Sequence, residues 1–408
     1  MFKSKRTVLI RRLWRSRVAG SGPSAAGEQG SDSPVTTLGG DGAPDSTDPE
    51  HRAAAHGLLK RLKDRQLELL LDAVDSKGST ATACVPLPRG AEARLAAIRG
   101  GGRGGTGSAT SVPPPHVLCC QLYRWPELKH ASELKRLHFV CQTGRDLDEI
   151  SSGNVCCNPY HLSRLCQPES PPPPYSRFPI QRPKTEASSC SEASFLQPSI
   201  STTGSTVDFG ESTETGNTPS QRHQPFSDGD AQDNSGQAHW CHVAYWEHRS
   251  RVGRMYTVFL DSVNIFYELP HGDGFCLRSL QRDERSESVV RTRRKVGCGL
   301  TLSREPDGVW MYNRSNFALF VNSPTLDALP RSRTLTVHKL MPGYSLKIFD
   351  FARATLLEHA RREPEPPDGP VDPHSIRISF IKGWGPRYSR QFITSCPCWL
   401  EVILTRPR

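Results

Sequence analysis

Between residue 167 and about 238 the chain is filled with proline, serine, threonine, aspartate and glutamine and has few large apolar side chains. Such a stretch cannot bury enough apolar surface to offset the entropy of ordering it, so it predicts a linker without a fold. Whatever folds must lie on either side. The rest of the composition agrees: only 36% of the 408 residues are hydrophobic, beside 33 glycines and 34 prolines, which predicts two modest cores joined by disorder. No run approaches the roughly 18 apolar residues of a membrane-spanning helix. The opening "MFKSKRTVLIRRLWRSRV" interrupts its apolar pieces with arginines, unlike a secretory signal. A soluble intracellular protein without membrane insertion is expected.

Four zones follow. Residues 1–52 begin with a basic arm, Lys3, Lys5, Arg6, Arg11, Arg12, Arg15 and Arg17, and continue into a Gly/Ser/Pro/Asp-rich segment expected to be disordered. The arm has two readings, a nuclear-import or nucleic-acid patch and a solvated tail. In the second zone, 53–166, Leu58, Leu59, Leu62, Leu67, Leu70, Leu71 and Val74 recur at helical spacing, which predicts amphipathic helices ending near Gly78. A glycine-rich loop follows, and "HVLCCQLYRWPELKHASELKRL" reads as a strand, a turn at Pro126 and a helix. The third zone is the linker, 167–238. In the fourth, 239–408, runs such as "VAYW", "VNIFYEL", "LFVNS", "SLKIFDF" and "WLEVIL" are short, β-branched and aromatic, and separated by turns. They predict a β-sandwich or barrel, with "DFARATLLEHARRE" as one helix.

Thirteen cysteines in a chain expected inside the cell point to zinc or plain burial more than to disulfides. Cys84, Cys119, Cys120, Cys141, Cys156, Cys157, Cys166 and His161 are the candidates in the second zone. Cys156 and His161 flank Asn158-Pro159, a turn that lets both side chains face one point. The wider spacings match no common finger, so a structural zinc and a set of buried cysteines both remain open. The sequon Asn313-Arg314-Ser315 is not expected to carry a glycan inside the cell.

Two further features are exposed in kind. Pro172-Pro173-Pro174-Tyr175 has the Pro-Pro-x-Tyr form of a WW-domain ligand, preorganised as polyproline II, with a plain spacer as the other reading. Positive charge concentrates at Arg291, Arg293, Arg294 and Lys295, and again at Lys382, Arg387 and Arg390. Such runs serve as solvated faces; arginines set among Gly383, Trp384, Gly385 and Tyr388 also suit a rigid loop that grips phosphoryl oxygens. The net charge of +10 favours acidic partners without choosing among them. No spacing assembles a nucleophile, base and orienting group, and "GCG" at 297–299 is too short to cradle a phosphate, so no enzyme is expected.

"LYRWPEL" and "VCCNPYHLSRL", then "WCHVAYWEHRSRVGRMY", "GFCL", "DGVWMYNRS", "PGYSLKIFDF" and "SFIKGWGPRYSRQFITSCPCWLEV", resemble in order the two Mad-homology domains of the Smad family. The resemblance implies an α+β architecture: a small zinc-containing N-terminal Mad-homology domain and a C-terminal β-sandwich Mad-homology domain with flanking helices, joined by the disordered linker. It implies one structural zinc ion held by Cys84, Cys141, Cys156 and His161, with Cys119, Cys120, Cys157 and Cys166 left to packing. It implies a receptor-binding basic face of Arg291, Lys295, Lys382 and Arg390. Where receptor-regulated members carry a short basic DNA-reading hairpin, this chain has a long glycine-rich loop offering only Arg94, Arg99 and Arg103, so sequence-specific DNA binding is doubtful.

The ending "WLEVILTRPR" lacks the Ser-x-Ser tail of receptor-regulated members, which implies the inhibitory branch. The implied partners are activated type I receptors of the bone-morphogenetic-protein and transforming-growth-factor-β pathways, other Smads, and HECT ubiquitin ligases docking on Pro172, Pro173 and Tyr175. The implied localisation is nucleus and cytoplasm. A DNA-bound transcriptional corepressor is the alternative.

Overall fold

In the computed structural model the described residues are 4–18, 49–88, 113–143, 154–166, 238–268, 274–327, 336–360, 372 and 374–405. Arg94, Arg99, Arg103 and the Pro172–Tyr175 motif lie outside them.

The basic arm is not a solvated tail. Residues Lys5–Arg15 form helix α1, capped by the Ser4 hydroxyl, which accepts from the Thr7 N–H. Leu13 is fully buried, and Leu9, Ile10 and Trp14 pack beside it against the helices that follow, α2 (Pro49–Arg61) and α3 (Asp64–Ser76). Part of the charge is answered as well. Lys5 pairs with Glu68, Arg6 with Asp64 and Arg12 with Asp75, all on α3. A scan for charge runs sees the arginines of α1 but not the acids of a helix nearly 50 residues away.

The segment read as a strand from His116 is helix α4 (Pro115–Tyr123), with Pro115 at its first turn. All nine of its residues except His116 are buried, and they feed two clusters: Leu118, Cys119 and Leu122 join the helical core, while Val117 and Cys120 meet Trp125 and Leu128. A helix packed on opposite sides loses its period of 3.6, and a short apolar run without period cannot be told from a strand. The helix read after Pro126 is only a turn of 3₁₀ helix, Ala131–Glu133, leading into strand β2 (Leu134–Arg136). Strand β1 (Pro86–Pro88) pairs antiparallel with β3 (Asn154–Cys156), and β4 (Leu162–Leu165) pairs antiparallel with β2.

From residue 241 the predicted alternation gives strands β5 (Cys241–Glu247), β6 (Ser250–Arg251), β7 (Tyr256–Val258), β8 (Ser262–Phe266) and β9 (Phe275–Cys276). Helix α5 (Glu287–Arg294) interrupts them, burying Val289, Thr292 and Arg293 and leaving Arg291 and Arg294 exposed. Strands β10 (Leu300–Glu305), β11 (Gly308–Asn313), β12 (Leu319–Asn322), β13 (His338–Leu340) and β14 (Tyr344–Asp350) follow. Then come the expected helix, α6 (Phe351–Ala360), and strands β15 (Ser375–Phe380) and β16 (Trp399–Leu404). One sheet runs β13-β12-β15-β16-β5-β6, with β7 also on β5. The other contains β14-β11-β10-β8-β9. Tyr245, Val321, Ile378 and Leu400 from the first meet Ile265, Leu302, Met311 and Ile348 from the second in one dry cluster, which makes the pair a sandwich. Asn313 of the sequon is fully buried and donates to the carbonyls of Phe317 and Leu340.

The second sheet does not stop at β14. Strand β4 adds to it in parallel, Tyr344 opposite Arg164 and Ser345 opposite Leu165, with β2 beyond. The Arg164 N–H donates to the Gly343 carbonyl and the Cys166 N–H to that of Ser345. Lys135 and Glu305 close a 2.7 Å ion pair across the seam, each about 15% exposed. Arg124 stacks on Trp125 at 3.9 Å and donates to Tyr312 Oη. Gly343 sits at φ +81, a turn that favours glycine, and a Cβ there would come to 2.5 Å from the Arg124 guanidinium, which would have to shift off its stack. The two cores therefore share a sheet.

Candidate functional site

The cysteine cluster is built from three segments. Cys84 precedes β1, Cys156 ends β3, and the Cys157 N–H donates to the Val85 carbonyl, so strand pairing brings the first two thiols together. Cys141 closes a turn whose N–H donates to the Leu137 carbonyl, and the Leu137 N–H in turn donates to the carbonyl of His161. His161 ends a 3₁₀ turn, Pro159–His161, capped by Asn158. Asn158 is fully buried; its Oδ1 accepts from the Tyr160 N–H, and its Nδ2 donates to Thr82 Oγ1 and the Ala83 carbonyl. That one side chain rivets the Cys84 segment to the His161 turn.

The ligand atoms of Cys84, Cys141, Cys156 and His161 all lie within 4.8 Å of one another, with His161 Nδ1 at 3.5 Å from Cys84 Sγ and 3.6 Å from Cys156 Sγ. His161 Nε2 lies 3.0 Å from the Thr82 carbonyl, which requires Nε2–H and leaves Nδ1 facing the sulfurs, able to offer its lone pair once it gives up a proton. Crowding splits the thiols: hydrogen bonds with Cys141 and Cys156 hold Cys84 far below the usual thiol range, while those with Cys141 and Cys84, and burial after them, push Cys156 far above it. Burial lowers His161, but hydrogen bonds to the Cys141 and Cys84 thiols outweigh it and raise the imidazole to about 9. Three thiols at this range cannot all ionise without a cation among them, and three sulfurs with one imidazole nitrogen are the donor set of a closed tetrahedral zinc site. The residues fit zinc. Cys119, Cys120 and Cys157 are buried away from the cluster, and Cys166 packs against the sandwich core.

The second candidate is the basic face. Arg291 and Lys295 stand one turn apart on and just after α5, both exposed; Arg291 pairs with Glu287 at 3.2 Å, and Lys295 lies 5.4 Å above the Phe317 ring. Next to Phe317, the Ala318 carbonyl accepts from the Ile381 N–H. Ile381 holds φ +68, a left-handed conformation costly for a β-branched residue, and the Lys382 N–H donates back to the Phe380 carbonyl at 2.7 Å in a tight three-residue turn. Its neighbours hold it there: the Lys382 carbonyl accepts from Ser379 Oγ and Cys396 Sγ.

Beyond the turn, Trp384 is buried and Tyr388 packs edge-on to Phe320. The Gly385 N–H donates to the Arg390 carbonyl. A Cβ at Gly383 would lie 2.6 Å from the Tyr388 ring, so glycine is needed there for space. Arg387 is exposed and lies near His338, whose pKa is lowered by burial and then by that charge. Contacts through Phe317 and Ala318 thus join Arg291 and Lys295 to the loop bearing Lys382 and Arg390. The charges were legible in the sequence. Phe317, Ile381 and Asn158 were not, although Asn158-Pro159 carries the signature of a capped turn.

Two family models match the chain: the MH1 domain over residues 51–166 and the MH2 domain over 238–405. The sequence is 46% identical over 465 residues to Mothers against decapentaplegic homolog 6 of Gallus gallus, covering 100% of both chains. It is 42% identical over 450 residues to Mothers against decapentaplegic homolog 7 of Mus musculus, covering 99% of each, and 42% identical to the Homo sapiens homolog 7 over the same length. Among solved structures, STAT2 in complex with IRF9 matches at 11% identity and a TM-score of 0.28, covering 42% of this chain and 93% of the other.

Proposed function

The chain belongs to the Smad family, on its inhibitory branch, and from that premise we propose that it inhibits bone-morphogenetic-protein and transforming-growth-factor-β signalling by occupying activated type I receptors or partner Smads. The observation that carries the reading is the continuity of the basic face: Lys295 on Phe317, Ala318 bonded to Ile381, and a strained turn presenting Lys382. Preformed cationic loops bind phosphoryl groups with little ordering cost, which suits a phosphorylated receptor segment. The expected experiment is displacement. The wild-type chain should release a receptor-regulated Smad from phosphorylated receptor, whereas Arg291→Glu/Lys295→Glu should not; equal displacement by both would count against the face.

The rest of the reading is non-catalytic. Zinc held by Cys84, Cys141, Cys156 and His161 would brace the N-terminal domain, and a closed four-ligand site leaves no position for a substrate. Pro172, Pro173 and Tyr175 would recruit WW-domain HECT ubiquitin ligases. Tyr175→Ala should abolish WW-domain capture while sparing receptor binding, and undiminished capture would remove the motif from the mechanism. Nuclear and cytoplasmic residence is the localisation that goes with this role. Against the corepressor alternative, three of the basic charges of α1 that would support DNA binding, Lys5, Arg6 and Arg12, are paired with Glu68, Asp64 and Asp75.

A further inference from the structure

Beside α5, a cavity of about 490 Å³ is lined by Arg278, Arg282, Arg285, Arg293 and Arg294, with none of Arg291, Lys295, Lys382 and Arg390 in its lining. A second cavity of about 350 Å³ adjoins it, shares Arg282 and Arg285, and has Glu247 in its wall. Glu247 is 2% exposed. Its Oε1 accepts from Arg285 Nε at 2.8 Å and from Arg293 Nη1 at 2.9 Å. Its Oε2 makes no hydrogen bond and lies 3.6 Å from Arg282 Nη1. One buried carboxylate thus faces three guanidiniums. Farther out, Arg278 is paired with Glu268, Arg294 has no ion pair or hydrogen bond among the described residues, and Asp283 lines the same cavity.

We propose that this arginine cleft is an anion site separate from the receptor-binding face, and that its ligand is a phosphorylated serine or threonine on a partner protein. Surplus positive charge in a concave, partly desolvated site is unfavourable until an anion pairs with it. The five guanidiniums of the first cavity against the three carboxylates of Glu247, Glu268 and Asp283 leave a surplus of two, and a phosphate monoester brings a charge of about −1.5 to −2 with three acceptor oxygens. A carboxylate ligand would cancel half as much.

The guanidiniums are also held in place. Arg285 Nη2 donates to the Leu280 carbonyl and Arg293 Nη2 to that of Leu277, so little side-chain entropy remains to be lost on binding. The rim selects against extended polyanions. Glu268, Asp283 and Glu284 stand around the two cavities, where a duplex with a charge about every 1.7 Å would meet them. Leu280 and Val290 supply an apolar wall for the residue next to the phosphate.

The test is fluorescence anisotropy of the zinc-loaded full chain with a labelled heptapeptide centred on phosphoserine, its unphosphorylated twin, and inorganic phosphate as competitor. The phosphopeptide should bind at least about tenfold more tightly than its twin. Arg282→Ala/Arg294→Ala, which leaves the Glu247 contacts of Arg285 and Arg293 intact, should remove about that factor. Lys382→Ala/Arg390→Ala should not. The two variants and the wild type should melt within a few degrees of one another. No preference for phosphate, or loss through Lys382 and Arg390 instead, would overturn the proposal. So would inorganic phosphate competing as strongly as the phosphopeptide, or a phosphoinositide vesicle binding with equal dependence on Arg282 and Arg294. Because the receptor-binding face uses other residues, its failure and the failure of this cleft are separate outcomes.

Discussion

At the scale of single residues, Asn158 and Ile381 explain more of the two candidate sites than the ligands and charges themselves. Asn158 fixes the Cys84 segment against the His161 turn through three hydrogen bonds, all of them lost on truncation. Asn158→Ala should therefore cost about 1–3 kcal/mol of stability and lower zinc affinity by roughly 10–100-fold, as loss of an outer-shell support does. Chelator competition with thermal unfolding would measure both, and an unchanged zinc affinity would contradict the bracing role. Neither residue announces itself in sequence. An asparagine before proline marks a turn, but only the fold shows that its amide reaches Thr82 and Ala83, and no local pattern predicts φ +68 at an isoleucine.

Elements were legible where their burial was one-sided. The leucines of α2 and α3 and the short β runs of the sandwich keep the period that facing a single core imposes, whereas α4 lies between two clusters and lost it. Helix α1 is not legible in the sequence because its acidic and apolar partners are remote along the chain. Leu13→Ala should cost about 2–5 kcal/mol if α1 belongs to the core, and a melting temperature indifferent to the change would return it to the status of a tail. Helix α6 offers a pH test. Asp350 accepts from the Arg353 N–H at the start of the helix, and Lys347 beside it holds the carboxyl below its ordinary 3.8. A lowered folded pKa means that the stabilisation is present above 3.8 and is lost as pH falls through the folded value. Asp350→Ala should thus be destabilised by about 1 kcal/mol at neutral pH, with the gap to wild type closing below 3.8; a gap constant down to strong acid would refute the charge contribution. In the loop of the basic face, Gly383→Ala forces the Tyr388 ring to move and should weaken receptor binding without altering any charge.

For the whole molecule, the shared sheet is the feature that composition could not reveal. A linker predicts two domains free to part, yet β4 extends the sandwich through β14, and the Lys135–Glu305 pair and the Arg124 stack cross the same seam. Lys135→Ala leaves Glu305 unpaired at about 15% exposure and should destabilise the joined form by about 1–3 kcal/mol. A double-mutant cycle with Glu305→Ala should return a coupling of at least about 0.5 kcal/mol, and additive losses would mean that the seam does not persist in solution. In the proposed function, inhibition would rest on the basic face held by that sandwich. Its most direct test is the affinity of the full chain for a phosphorylated type I receptor cytoplasmic region, with and without Lys382→Ala/Arg390→Ala. Phosphorylation-dependent binding that falls at least about tenfold in the double variant, with zinc content and melting temperature unchanged, is the predicted result. Binding that is undiminished in the variant would contradict it.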